Sequence, residues 1–277
     1  MRAVMVSVRA DVKKLLMSPK FMLILLLALF FVFDFARSFR EMAASSFLGI
    51  PPYLYALFVT DFMGEFYTLM LIVIMMSDAP FYNQSEVFIG LRISRIKWLW
   101  GKAVYIFFVS VLLQSILVIL SAAVCLPHLG FGEGWGVIFM NYLQSTEESI
   151  SYTLENTSSS LLAYEPMVAM LLLLGITILL STLLGILIFT LNMLCHNYTG
   201  TILVGVLSCI HTYIKDFNFY HHLQKVTSKI PMSWMNITNY QDGMTPGMAM
   251  LFLSIMIVGL FVINAVLLKT GKTEMIK

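Results

Sequence analysis

What most constrains this chain is the length of its apolar runs. Six can be marked, at about 21–36, 53–76, 103–126, 167–192, 199–214 and 246–268, and four of them exceed twenty residues. A run of that length leaves a helix no polar face to turn toward water, so it reads as a membrane span. Composition agrees: at 59% hydrophobic and 12% charged residues, with a mean hydropathy of +0.87, the chain is too apolar for a soluble globule. The expectation is an all-α polytopic membrane protein with six transmembrane helices, forming one domain over residues 1–277.

The distribution of charge assigns sides. With both termini placed inside, twelve of the seventeen Lys and Arg residues fall on the inner side, and five (Arg37, Arg40, Lys215, Lys225 and Lys229) fall outside. That asymmetry fits the positive-inside rule and fits five or seven spans less well. It assigns topology and gives no reason to expect a nucleic-acid partner; the lipid bilayer is the partner it implies. Residues 127–166 carry five glutamates and no Lys or Arg, as expected of a translocated loop, and the GFGEGWG and TSSS runs within it read as flexible connector. Residues 215–245, with Tyr220, His221, Pro231, Trp234 and Tyr240, read as a second outer segment of short helices in the headgroup layer.

Before the first span, Val4, Val8, Val12 and Leu15 share one helical stripe, flanked by Arg2, Arg9 and Lys13, the pattern of an interfacial amphipathic helix over residues 1–20. A signal peptide is the competing reading; the lead-in is long for one and no A-x-A-like site follows. Between spans two and three lies a polar, basic island, Asp78 to Lys102, carrying Arg92, Arg95, Lys97 and Lys102. It is expected in the cytosol, with a short helix over Glu86–Arg92, Ser94 as the N-cap of the following helix, and Trp98 and Trp100 as interfacial aromatics.

Within the island, Glu86 is followed after three residues by Gly90, then by Ser94-Arg95, then by Gly101-Lys102 at the head of an apolar helix. This order resembles the cytoplasmic loop of ABC transporter type-2 permeases, and the Ser18–Phe21 turn after an N-terminal interfacial helix is similar to the start of that family. The resemblance implies that Glu86–Arg92 is a coupling helix docking on a separate ATP-binding cassette subunit, with Glu86, Gly90, Arg92 and Arg95 as coupling residues. It further implies a dimer with a second permease copy or paralogue, ATP and magnesium bound by the partner, and export of an amphipathic substrate across the cell membrane of a bacterium. No catalytic, cofactor-binding or metal-binding residue is expected in this chain.

Other candidate chemistries fall short. Gly271-Lys272-Thr273 ends like a phosphate-binding loop, but Val266 stands where its first glycine is needed. Glu147-Glu148 suggests a glutamate-type intramembrane protease, yet Tyr152 occupies the position expected for arginine. His221-His222 lacks a second ligand pair. Asn156-Thr157-Ser158 and Asn236-Ile237-Thr238 match a glycosylation pattern common by chance. Cys125, Cys195 and Cys209 have neither disulfide-framework nor metal spacing and read as packing residues.

Asp34, Asp61 and Glu65 carry more weight, because ionisable groups inside spans are costly. In a regular span two, Asp61 and Glu65 share a face about 12 and 18 Å below its outer end. With Asp34 and Arg37 they would line an outward vestibule, or, on the plainer reading, form an ion-pair cluster in which Arg37 meets Asp34 or Asp61. They also support the alternative of a proton-coupled secondary transporter, although no inverted repeat is visible.

Overall fold

A computed structural model describes residues 2–79, 94–130, 134–149, 161–195, 197–216, 229–235 and 244–270. Their regular structure is helical, without a strand: α1 (Arg2–Leu16), α2 (Pro19–Ser46), α3 (Leu54–Thr60), α4 (Phe62–Met76), α5 (Arg95–Cys125), α6 (Gly136–Ser149), α7 (Pro166–Cys195), α8 (Thr199–Asp216) and α9 (Pro246–Lys269), with 3-10 turns at Leu126–His128 and Pro231–Met235. Four helices, α2, α5, α7 and α9, are long and apolar enough to cross a membrane. The sharply bent pair α3–α4 makes a fifth crossing if taken as one span, and α8 is apolar only over Thr199–Ile214.

Local chemistry sets several helix ends. Ser18 caps α2 by accepting from the Phe21 amide at 3.2 Å, with Pro19 pre-set for the first turn. Thr245 and Pro246 repeat the device at α9, where the threonine accepts from the Met248 amide. Span one runs ten residues beyond its expected end at 36. Apolarity stops there, but Arg-Glu-Met-Ala residues are good helix formers, and the helix persists until Phe47 takes a left-handed φ of 56°.

Helix α7 lies at the centre, 61% buried over its most apolar stretch against 17% for α9 and 28% for α2, and packs against α4, α5, α8 and α9. The buried stripe of α2 (Ile24, Ala28, Val32, Ala36, Phe39, Ala43) recurs at helical spacing and faces inward. Its other face exposes Leu23, Leu26, Phe30 and Phe33, as α9 exposes Ile255, Val258, Val262 and Val266. An outer surface that apolar belongs in lipid. In α1 the expected stripe holds in its described part: Val8 and Leu15 are buried and Val12 half-buried, while Met5 and Leu16 are exposed.

Two connectors depart from expectation. The segment 127–166, read as an outer loop, contains α6, whose Ile138, Phe139 and Tyr142 form an apolar face on α2; Phe39 meets Phe139 at 5.4 Å and Tyr142 at 4.6 Å between ring centroids. Trp135, before that helix, is buried and donates its indole N–H to the Tyr164 carbonyl. Residues 48–50 pair with 128–130 through one isolated bridge, Ile50 to Leu129. There Gly49 and Gly130 approach so closely that a Cβ on the first would lie 2.4 Å from the Cα of the second.

Of the two tryptophans expected to be interfacial, Trp98 is buried against Phe189 and Trp100 is exposed beside Phe261. Ser94 occupies the N-cap position of α5, which starts eight residues before the expected 103, but makes no side-chain capping bond. Cys125 is buried, as a packing residue would be, whereas Cys195 and Cys209 are exposed. Residues 80–93, 150–160, 217–228, 236–243 and 271–277 lie outside the described residues, and with them Tyr152, Asn156, His221, His222, Asn236 and Lys272. The side chains of Glu147 and Glu148 lie outside them too.

Candidate functional site

The expected span two is two helices meeting at 87°, and Asp61 is the joint. Its amide donates to the Leu57 carbonyl at 2.9 Å, closing α3; its carbonyl accepts from the Glu65 amide at 2.8 Å, opening α4. Its carboxylate replaces the hydrogen bonds the break removes, accepting from the Met63 and Gly64 amides at 3.0 and 3.3 Å. Gly64 permits the fold-back: a Cβ there would stand 1.7 Å from the Phe58 carbonyl oxygen. Asp61 and Glu65 therefore do not lie on one face of a straight helix; one caps it and the other points into the bundle.

Glu65 is buried and its Oε1 lies 3.1 Å from Nε2 of His211 on α8, with both side chains at most 2% exposed. The level of this pair can be counted from the opposite ends of the two helices. Asn192 donates to the Ala79 carbonyl at 2.8 Å and accepts from the Gly200 amide at 2.7 Å, while Thr201 donates to the Ser77 carbonyl at 3.4 Å, so the end of α4 and the start of α8 are held at one level. Glu65 lies about 17 Å along α4 from that end and His211 about 18 Å along α8. Both residues therefore stand at the same level, well inside the helix bundle. The second ring nitrogen of His211 is buried without a hydrogen-bond partner among the described residues.

Above the joint, the Tyr142 hydroxyl donates to the other Asp61 oxygen at 3.3 Å. Burial, then the nearby Asp61 charge and this hydrogen bond, push the Tyr142 phenol well above its ordinary range. Below α3, Tyr55 donates to Gln114 of α5 at 3.0 Å and lies 2.8 Å from the Thr177 hydroxyl of α7, and Gln114 donates onward to Ser181 at 3.0 Å. This buried chain ties three helices where apolar side chains could have slid. Asn264 likewise ties α9 to Thr190 of α7 at 2.7 Å.

The expected cluster around Arg37 is not formed. Arg37 bonds Glu41, one turn later on the exposed face of α2, at 3.0 Å, and Asp34 is also exposed. The reason is the break: it turns Asp61 inward as a cap, while the continued α2 gives Arg37 an i,i+4 partner of its own.

The opposite end holds three more ties. Lys20 meets Asp78 at 2.8 Å, Arg95 donates to the Leu268 carbonyl at the end of α9 at 3.1 Å, and Lys102 donates to Asp11 of α1 at 3.1 Å. Lys102, expected to face the cytosol, is only 2% exposed. Of the four coupling residues, Glu86, Gly90 and Arg92 lie outside the described residues; Arg95 is described and engages α9.

Sequence reasoning missed His211, Tyr142, Tyr55 and Asn192. His211, Gln114 and Asn192 did carry a signal, since each is a strongly polar side chain inside an apolar run. Among the described residues no group of three His, Cys, Asp or Glu side chains could hold a metal ion. Set against models of known protein families and against curated proteins, the sequence matches none of them.

Proposed function

We propose that this chain is the membrane-spanning subunit of an ATP-driven exporter, resembling ABC type-2 permeases, with six crossings and both termini in the cytosol. In this reading α3–α4 is the second crossing and α8 the fifth. A second copy or paralogue completes the pathway, and a separate ATP-binding subunit, with ATP and magnesium, drives it in the cell membrane of a bacterium. The carrying observation is the order Glu86, Gly90, Ser94-Arg95, Gly101-Lys102 running into the 31-residue helix α5. The ties around it support the reading. Asp78 before the loop holds Lys20 of α2, Arg95 after it holds the end of α9, and Lys102 holds α1, so a force applied to the loop would reach three helices.

Proton coupling through Asp61 and Glu65 is the alternative. It loses one of its two carriers, because the Asp61 carboxylate is engaged as a helix cap. The experiment is to purify the tagged full chain from membranes of its native cell and assay the eluate for ATP hydrolysis. The proposal expects a co-purifying ATPase that is lost with Glu86→Lys while expression holds. A native preparation with transport but no associated ATPase would sink it.

A further inference from the structure

Four cations of the described chain each meet an oxygen: Lys20 that of Asp78, Arg37 that of Glu41, Lys102 that of Asp11, and Arg95 the Leu268 carbonyl. Arg40 of α2 does not. It is half-buried, its Nε is shut off from water, and among the described residues its guanidinium has neither a hydrogen-bond acceptor nor an ion-pair partner. A guanidinium is a planar fork of donors that cannot shed its charge, so a partly buried one without an anion is costly. The place is short of an acceptor.

The surroundings of Arg40 indicate what kind of molecule carries that acceptor. The guanidinium lies over the Phe33 ring, 5.0 Å from its centroid, which steadies the fork against the helix. Its charge reaches the buried Cys125 thiol at the end of α5, and that end offers no carboxylate. On α2 itself, Glu41 is taken by Arg37, and Asp34 stands on the exposed face about 9 Å back along the axis. From Arg40 toward the start of α2 the same side of the helix carries Phe33, Phe30 and Leu26, which are 49, 63 and 61% exposed. They lie about 10, 15 and 21 Å from Arg40 along the axis, and half of a hydrocarbon core about 30 Å thick is about 15 Å. An unmatched cation at the head of an apolar track as long as one leaflet describes the receptor for an anionic amphiphile.

We propose that Arg40 is the head of a phospholipid site on the lipid-facing side of α2: its terminal nitrogens hold the phosphate, and an acyl chain lies over Phe33 and Phe30 toward Leu26. The fork suits this ligand because two of its N–H groups can reach two phosphate oxygens at once. Free phosphate shares the head chemistry but would leave the aromatic track uncovered, so the site belongs to the lipid. The inference rests on the lipid-facing surface alone and holds whether or not ATP drives the chain.

The test takes the full chain in detergent, stripped of lipid, and follows binding by native mass spectrometry with dioleoyl phosphatidylglycerol, with dioleoylglycerol, which has the same chains and no phosphate, and with inorganic phosphate. The tightest-bound phospholipid should be held about tenfold or more weakly by Arg40→Gln, the worth of a hydrogen bond to a charged group. Arg37→Gln should bind it as the unaltered chain does, since that side chain is already engaged by Glu41. Equal phospholipid binding by the unaltered chain and Arg40→Gln overturns the proposal, and so does dioleoylglycerol held as tightly as the phospholipid. Capture of inorganic phosphate that depends on Arg40 and matches the phospholipid in affinity would make this a free-anion site and overturn the lipid. Should Arg40→Gln not fold, the arginine reagent phenylglyoxal decides on the unaltered chain: phospholipid, and not dioleoylglycerol, should suppress most of the reaction at Arg40 in a peptide map, and equal reaction with either overturns the proposal.

Discussion

Asp11 of α1 and Lys102 of α5, 91 residues apart in the chain, meet at 3.1 Å with the lysine almost wholly buried. An amphipathic helix that lipid alone could hold is thus tied by charge to the helix that follows the polar island.

Removing one partner of that pair leaves the other charge buried. Lys102→Met or Asp11→Leu alone should lower stability by about 3–5 kcal/mol, while the double change should recover most of the loss. Thermal unfolding of the three variants in detergent checks this; additive losses would mean that the two side chains do not act as a pair.

Gly64→Ala places a methyl group against the Phe58 carbonyl oxygen, and the joint must open to admit it. A cost at or above the usual ~1–3 kcal/mol of overpacking is expected. Gly259→Ala is the control, because open space surrounds that position in α9 and alanine favours a helix. Monodispersity and melting temperature should fall for the first and hold or rise for the second.

Topology is open to direct measurement. Single cysteines at Ser94 and Ser159, in a chain lacking Cys125, Cys195 and Cys209, should differ in intact cells: a membrane-impermeant thiol reagent should label position 159 and spare position 94. The reverse pattern would invert the proposed arrangement.

At the joint, Asp61→Ala should cost about 1 kcal/mol through loss of the cap, and Asp61→Asn much less, since asparagine also caps. Arg37→Gln should leave the melting temperature unchanged and show no coupling to either, because Arg37 bonds Glu41 on the surface. Tyr142 adds a pH signature. Its phenol is raised in the folded protein, so the folded state keeps that proton more tightly than the unfolded chain. The contribution is fully present below about pH 10, the ordinary tyrosine value, and lost as pH rises through the higher folded value. Alkaline difference spectroscopy should accordingly show that Tyr142→Phe removes a phenol that ionises late, not one of the first.

Hydropathy located the long helices because lipid and protein interior ask the same of a side chain: α5, α7 and α9 fall where the apolar runs are. It could not place their ends, which depend on helix-forming residues such as those after Arg37 and not on apolarity. Nor could it see the joint, since Asp61 inside an apolar run reads equally as a buried charge or as a cap, and only the approach of Gly64 to Phe58 distinguishes them. Glu65 was legible as a residue needing a partner. That the partner is His211, 146 positions later, depends on how α8 packs on α4, which no local pattern records. The short helix α6 was hidden by its polar residues, although Ile138, Phe139 and Tyr142 already stood at helical spacing.

The joint also orders the way this chain comes to be built. Residues 53–76 are one apolar segment whose cap at Asp61 is local, while the partners of Tyr55 are not. The groups that receive Tyr55 are Gln114 and Thr177, 59 and 122 residues further on, and neither exists while that segment is being threaded. The hydrogen bonds that hold Tyr55 can close only once α5 and α7 have been made, so this part of the joint is completed late in assembly.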